Sequence, residues 1–263
     1  MRQPCNLLIL LTLLSPTSTH AGASWCEIVG GHEAKPHSRP YMAYLKTTNL
    51  DFCGGFLVHP GWVMTAAHCK GNLTVILGAH NIHKQENSQQ TFAVQSYHPH
   101  PAYQEHPKDY DILLLKLKGK ATENKYVSAI GLPKAKRNVA PRSQCSTAGW
   151  GHINKGKATD KLFETNVFIW SPKECRAVNP GIINGIICAS SKQRVKNCSQ
   201  GDGGSPLVCN GTAEGIFSYD FNNPPGFYTS IASHLHWIKT TMKKQTGEEE
   251  AEPSPASSAA FES

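Results

Sequence analysis

The sequence has no apolar stretch of about 20 residues, which is the length that a membrane-spanning helix requires. An apolar stretch at residues 7–14 follows Met1-Arg2 and precedes the small residues 21–23. A short apolar run between a basic start and small residues is typical of a secretory signal peptide. We therefore expect an exported protein without a transmembrane segment, either released directly or stored in secretory granules.

Acidic residues are scarce except at the end of the chain. Residues 28–246 carry 25 Lys and Arg against 13 Asp and Glu, a formal charge of +12, whereas residues 247–263 carry five acids and no base. A domain this basic is expected to associate with a glycosaminoglycan or another polyanion, or with a protein or membrane surface. The alternative is a soluble surface with dispersed lysines. We expect no sequence-specific nucleic-acid partner.

Cofactor motifs are also missing, because the chain has no P-loop, no dinucleotide fingerprint and no internal repeat. Among the 13 histidines, His98-Pro-His100 and His234-Leu-His236 come nearest to a metal-ligand spacing. Neither pair has a cysteine or carboxylate at ligand spacing, so we interpret them as surface histidines. We expect no cofactor and no metal.

The chain has nine cysteines, which is typical of an exported protein. Cys5 lies in the predicted signal peptide and Cys26 lies just before Ile28, which leaves seven, an odd number. The sequence alone does not assign the pairs. Three sequons, at Asn72, Asn197 and Asn210, predict glycosylation where they are exposed.

Many short apolar runs separated by Gly, Pro and Asn predict an all-β barrel or sandwich. The runs are Tyr41–Leu45, Phe56–Met64, Leu73–Leu77, Phe92–Tyr97, Ile112–Leu117, Phe163–Trp170, Ile182–Cys188, Pro206–Val208 and Gly215–Tyr219. Near the end, Ile231, Leu235 and Ile238 follow a helical spacing, which predicts an amphipathic helix over residues 231–244. Residues 247–263, rich in Glu, Ser, Ala and Pro, are predicted to be a disordered acidic tail.

Several motifs occur in an order that resembles the chymotrypsin-like serine proteases, in particular their leukocyte branch of granzymes, mast-cell proteases and neutrophil proteases. They are Ile28-Val-Gly-Gly31, Pro36-His-Ser-Arg-Pro40, Cys53-Gly-Gly55, Thr65-Ala-Ala-His-Cys69, Leu77-Gly-Ala-His-Asn81, His100-Pro-Ala-Tyr103, Ala148-Gly-Trp-Gly151 and His236-Trp-Ile-Lys239. The resemblance implies two six-stranded antiparallel β-barrels with the active site between them and a C-terminal helix. The implied division is a signal peptide (1–23), a short propeptide (24–27), a protease domain (28–246) and the tail (247–263).

The same resemblance implies a set of covalent and ionic links. The implied disulfides are Cys53–Cys69, Cys145–Cys209 and Cys175–Cys188, which leaves Cys198 without a partner. Cleavage after Glu27 would free the α-ammonium group of Ile28, and Asp202 is the matching buried acid. Because a buried charge needs a partner, this pair would order the pocket around Gly201 to Gly203.

The chemistry implied by the resemblance requires a serine that is absent. His68 matches the general base, Asp111 matches the acid that orients it, and the N–H groups of Gly201 and Gly203 match the oxyanion hole. Gly203, however, stands where the nucleophile is expected. Ser205 is two residues further on, about 6–7 Å along an extended chain, and Ser199 on the other side is no better placed.

The specificity pocket implied by the resemblance also departs from the family pattern. Asn197 matches the pocket floor, and Ser218 and Asp220 lie in the segment that pairs with a substrate backbone. Asp220 stands where the family usually has glycine. Its side chain either narrows the pocket entrance or turns outward as a surface acid.

Two functions remain in competition at this point. We favour a secreted, catalytically inactive protease homologue that binds polyanions or proteins, since the site is similar to that of azurocidin, a heparin-binding family member that also lacks the serine. The chain differs from azurocidin in keeping His68. The alternative is an active granzyme-like endopeptidase with an unorthodox nucleophile.

Overall fold

The computed structural model describes residues 31–48, 52–154, 157–191, 202–221 and 224–246. The predicted signal peptide, propeptide and acidic tail lie outside these residues, as do Cys26 and Cys198. Within them the chain forms two antiparallel β-barrels and ends in a helix, which confirms the fold predicted from the motifs. No helix in the described part is long and apolar enough to span a bilayer.

The first barrel is closed by six strands in the order β2-β3-β4-β7-β6-β5. Their bounds are β2 Met42–Thr47, β3 Phe52–His59, β4 Trp62–Thr65, β5 Leu73–Leu77, β6 Gln90–Pro99 and β7 Leu113–Leu117. In β5, buried Leu73, Val75 and Leu77 alternate with less buried residues, the period of two expected for a strand with one face in the core. The apolar run at 56–64 contains parts of two strands, because Pro60-Gly61 forms the connection between β3 and β4.

The second barrel is closed by β8, β11, β12, β15, β14 and β13, with β8 pairing with β11 as well as with β13. The short β1 adds to the outside of β11, and β9 pairs with β10 as a separate ribbon. The bounds are β1 His32–Glu33, β8 Gln144–Gly149, β9 His152–Asn154, β10 Lys157–Ala158, β11 Phe163–Ile169, β12 Ile186–Ser190, β13 Pro206–Cys209, β14 Thr212–Tyr219 and β15 Gly226–Ser230.

Three elements of the second barrel, β8, β15 and helix α1, are absent from the predicted apolar runs. Strand β15 is fully buried, but Phe227 and Tyr228 are its only large apolar side chains. Strand β8 reads Gln-Cys-Ser-Thr-Ala-Gly and has no large apolar side chain. Helix α1, Pro172–Val178, is short, but its capping box was present in the sequence: Ser171 accepts from the N–H of Glu174, and Glu174 accepts from the N–H of Ser171.

The terminal helix joins the two barrels. Helix α2 spans Leu235–Thr246 and follows a 3₁₀ turn at Ile231–His234, so the regular helix begins four residues later than predicted. Ile231, Leu235 and Ile238 are buried, in a core that includes residues of both barrels. The predicted apolar face is therefore present and holds the end of the chain against the first barrel.

All three disulfides implied by the family resemblance are present: Cys53–Cys69, Cys145–Cys209 and Cys175–Cys188. Cys53–Cys69 ties strand β3 to the turn after β4. Cys145–Cys209 joins β8 to β13 in the second barrel. The covalent frame therefore fixes both sides of the cleft.

Candidate active site

One side of the cleft carries a histidine and an aspartate joined by two hydrogen bonds. His68 lies in the 3₁₀ turn Ala67–Cys69, directly after β4. Its backbone N–H donates to Asp111 Oδ1 at 2.9 Å, and its ring Nδ1 lies 2.7 Å from Asp111 Oδ2. An imidazole that donates through Nδ1 leaves Nε2 able to accept a proton. This side of the cleft can therefore supply a general base.

Asp111 has a third hydrogen bond, which the sequence did not predict. Ser218, on β14, donates its hydroxyl to Asp111 Oδ2 at 2.5 Å. The aspartate is only 3 % exposed, and burying a polar group is costly unless it is hydrogen-bonded. Ser218 was predicted as a pocket residue. Its contact with Asp111 joins positions 107 residues apart, which no local spacing in the sequence could indicate.

On the other side of the cleft, the loop at residues 202–205 is attached to both barrels. Gly54 of the first barrel donates its N–H to the carbonyl of Gly203 at 2.8 Å, and Gly204 donates to Phe217 of the second barrel at 2.8 Å. Gly204 has a φ of +84°, and an added Cβ would overlap Thr65 Oγ1 and lie 3.0 Å from the nitrogen of Ala66. Only glycine fits there.

Gly203 faces the histidine directly. A Cβ added at Gly203 would overlap Nε2 of His68 and lie 3.0 Å from its Cε1. The backbone at position 203 is thus where a nucleophilic side chain would meet the base, and the imidazole occupies part of the space that such a side chain would take. The side chain of His68 is 39 % exposed, so it has room to move back.

The hydroxyl of Ser205 forms no hydrogen bond with this base. The residue is fully buried, and Oγ has no hydrogen-bond partner among the described residues. A Cβ added at Gly54 would overlap that Oγ, and one added at Gly149 would lie 3.3 Å from it. The hydroxyl is therefore enclosed by backbone behind the loop, and no hydrogen bond joins it to His68.

The remaining predicted site residues are only partly described. Asp202 is 2 % exposed and accepts a hydrogen bond from the N–H of Gly151 at 2.9 Å. Asp220 is half-buried just beyond the end of β14. Ile28, Asn197 and Gly201 lie outside the described residues, so the activation pair, the pocket floor and half of the oxyanion hole stay predictions.

The interpretation of all four spaced histidines as surface residues was wrong for His234. Its exposure is 7 %, while His98 and His100 are half-buried and His236 is exposed. The 3₁₀ turn before α2 points the His234 ring inward, 4.9 Å from the ring of His100 and 5.6 Å from that of Tyr110. The sequence pattern predicted a regular helix here and so missed the inward turn.

One cluster of metal-ligand residue types occurs among the described residues, formed by Cys53, His68 and Cys69. The two cysteines are joined to each other as a disulfide, so neither offers a thiolate. The cluster does not fit a metal ion. The two described sequon asparagines, Asn72 and Asn210, are both exposed, and their glycosylation stays a prediction.

One family model and several known proteins match most of the length of the chain. The family model described as Trypsin matches residues 28–238. Duodenase-1 from Bos taurus is 47% identical over 246 residues, covering 90% of this chain and 96% of the relative. Granzyme B from Homo sapiens is 44% identical over 249 residues, covering 90% and 98%, and cathepsin G from Homo sapiens is 41% identical over 244 residues, covering 90% and 94%.

A solved structure, described as "Structure of GrC", is similar with a TM-score of 0.75 and 38% sequence identity. The similarity covers 81% of this chain and 99% of that one.

Proposed function

Since the chain belongs to the trypsin family of serine proteases, we propose that it is a secreted member without a working nucleophile, which acts by binding polyanions or proteins. The observation that carries the proposal is the pairing of Gly203 with His68. The base and its orienting aspartate are aligned, and the backbone atom opposite the base bears no side chain. Loss of the nucleophile in related enzymes lowers turnover by about 10⁶-fold.

The competing hypothesis, an active endopeptidase that uses Ser205, needs the loop to rearrange. A base has to approach the hydroxyl within about 3 Å. Moving Ser205 toward His68 would break the hydrogen bonds that Gly203 and Gly204 make with the two barrels. It would also change the left-handed backbone at Gly204, which fits closely against Thr65. These hydrogen bonds and this close fit favour the inactive homologue over an active endopeptidase that uses Ser205.

The nucleophile can be tested with a fluorophosphonate probe, which labels activated serines. The protein is cleaved after Glu27, incubated with the probe and compared with its uncleaved form and with a Ser205→Ala variant. We expect no labelling of any of the three. Labelling that requires cleavage and disappears in the Ser205→Ala variant would overturn the proposal.

The binding part of the proposal rests on the charge of +12 over residues 28–246. The positive field of such a domain attracts polyanions, and the attraction weakens as salt screens it. On a heparin column, the cleaved protein is expected to elute above about 0.15 M salt, the physiological ionic strength. Elution at or below that concentration would contradict polyanion binding, whatever the probe experiment shows.

A further inference from the structure

A groove lies between the two barrels, apart from the cleft, and none of His68, Asp111 and Gly203 lines it. Its volume is about 610 Å³, which is in the range of small-ligand sites. It is enclosed by residues 39–41 before β2, by residues 129–131 between the barrels, by strands β8 and β11, and by the turn between β13 and β14. The groove is therefore separate from the candidate active site.

Asn210, at the edge of the groove, is also a sequence-predicted attachment point for a glycan. It opens the sequon Asn210-Gly-Thr212 and stands in the turn between β13 and β14. Its φ is +49° and that of Gly211 is +75°, as expected for a tight Asn-Gly hairpin turn. Asn210 is exposed and lines the groove. A sugar bonded to its amide therefore begins at the rim of the groove.

The lining suits a neutral polar ligand. Among the described residues that line the groove, Arg39 is the only charged one, and its Nε donates to Glu164 Oε2 at 2.7 Å. The side chains of Gln144, Ser146 and Asn166 can both donate and accept hydrogen bonds. The hydroxyl and N-acetyl groups of a neutral sugar need such partners, whereas a sulfated polyanion would meet a single cation that already has a carboxylate partner.

The apolar part of the lining suits the nonpolar face of a sugar ring. Tyr41 contributes a half-buried aromatic ring with a polar tip, and Pro40 and Val208 contribute aliphatic surface. Tyr41 also accepts a hydrogen bond at its carbonyl from Leu57 of the first barrel, at 2.8 Å. A sugar that packs here contacts segments attached to both barrels.

We propose that Asn210 carries an N-linked glycan whose first N-acetylglucosamine lies in this groove and bridges the two barrels. In the attachment, Asn210 Nδ2 loses a proton and bonds to C1 of the sugar, and the lipid-linked pyrophosphate that carried the sugar leaves from C1. The remaining sugars extend into solvent. The other described sequon asparagine, Asn72, is exposed but does not line the groove, so a glycan there has no such seat.

Two matched variants of the protein made in mammalian cells test the attachment. Thr212→Val and Thr74→Val each destroy one sequon while keeping a branched side chain that suits a strand. The intact mass of the Thr212→Val protein is expected to fall by one glycan. An unchanged mass would overturn the proposal, because Asn210 would then carry no sugar.

Thermal denaturation tests the packing of the sugar in the groove. Losing the Asn210 glycan through Thr212→Val is expected to lower the melting temperature by about 3 °C or more, and Thr74→Val by less than about 1 °C. The same variants made in bacteria, without glycans, correct for loss of the hydroxyl itself. Trimming with an endoglycosidase that leaves the first sugar is expected to preserve the melting temperature. Equal corrected shifts for the two variants would contradict the bridge.

Nitration of tyrosines gives a readout confined to the groove. Tyr41 is expected to be nitrated by tetranitromethane several-fold faster in the Thr212→Val protein than in the unmodified glycoprotein, because the sugar no longer covers it. Tyr126, which is half-buried and outside the groove, is the control and should react equally in both. Equal nitration of Tyr41 with and without the Asn210 glycan would show that the sugar lies elsewhere.

A free sugar distinguishes an occupied groove from an open one. Di-N-acetylchitobiose is expected to bind the Thr212→Val protein only weakly, because it lacks the high effective concentration of an attached glycan. It should not bind the unmodified glycoprotein, whose groove is filled. Tyr41-protecting binding of the free sugar to the unmodified glycoprotein would overturn the proposal.

Discussion

The two sides of the catalytic cleft differ in how completely they retain the arrangement needed for hydrolysis. On the first barrel, His68 and Asp111 are hydrogen-bonded and Asp111 is further held by Ser218. On the second barrel, the loop keeps its attachments to both barrels, but its hydroxyl lies at Ser205 instead of Gly203. A protease scaffold can therefore keep its histidine and aspartate hydrogen-bonded although the hydroxyl of the facing loop is two residues beyond the position that faces the histidine.

The backbone explains why both sides remain ordered without that oxygen. The Gly203 carbonyl and the Gly204 N–H are held by main-chain hydrogen bonds that do not depend on any side chain at position 203. The His68 ring lies in part of the space that a side chain at position 203 would occupy, and it is hydrogen-bonded to Asp111. The hydrogen bonds that hold this loop therefore do not require a side chain at position 203.

The largest expected effect comes from returning a hydroxyl to the loop. A Gly203→Ser variant, cleaved after Glu27, should react with a fluorophosphonate about 10⁵- to 10⁶-fold faster than the unmodified protein, by the reverse of the loss seen in related enzymes. The imidazole must move back to admit the new Cβ, which its exposure allows. Gly203→Ala adds the same Cβ without oxygen and serves as the control. Equal rates for the serine and alanine variants would show that His68 and Asp111 do not activate a hydroxyl at position 203.

The next largest effect is expected when the His68–Asp111 pair is broken in the Gly203→Ser variant. Adding Asp111→Asn to Gly203→Ser should lower kcat on an ester substrate by about 10⁴-fold, because the amide no longer holds His68 in the required tautomer. The matched control is Asp160→Asn, which replaces an exposed aspartate that is distant in sequence from Asp111 and should leave kcat unchanged. A loss of less than tenfold for the Asp111 variant would mean that the observed hydrogen bonds do not orient the base.

The third effect concerns the loop backbone. Gly204→Ala should destabilise the protein by about 3 kcal/mol or more, since its φ is +84° and the new methyl group meets Thr65 and the carbonyl of Gly54. Thermal denaturation measures the change. Gly71→Ala is the control, because a Cβ there meets nothing within 4 Å. Similar melting temperatures for the two variants would show that the loop is not held as described.

The smallest expected effect is a difference in the free energy of unfolding between two variants that each lack one buried hydroxyl group. Ser205→Ala should change the free energy of unfolding by about 0 to 1 kcal/mol in the stabilising direction, since it removes a buried hydroxyl that has no partner. Thr65→Val should instead destabilise, because Thr65 Oγ1 donates to the Gly54 carbonyl at 2.7 Å. Denaturant unfolding of both variants distinguishes them. A clear destabilisation by Ser205→Ala would reveal a partner for that hydroxyl.

Much of the fold was predictable because its signals are local. The period of two in β5 and the helical spacing of Ile231, Leu235 and Ile238 follow directly from which faces are buried. The disulfides and the His68–Asp111 pair followed from the family resemblance. Strand β8 was missed because its small and polar side chains give no apolar pattern.

The contacts that the sequence could not indicate are those made between distant segments. The Ser218–Asp111 bond and the inward turn of His234 both depend on how the second barrel meets the first. No spacing rule applies across such distances along the chain.

The absence of a working nucleophile can be tested by measuring the intact mass of the cleaved protein after exposure to p-nitrophenyl acetate, an ester that acylates activated serines. We expect the unmodified protein to keep its mass, while the Gly203→Ser variant gains one acetyl group at residue 203. An acetyl group found on Ser205 of the unmodified protein would show that this serine is a working nucleophile.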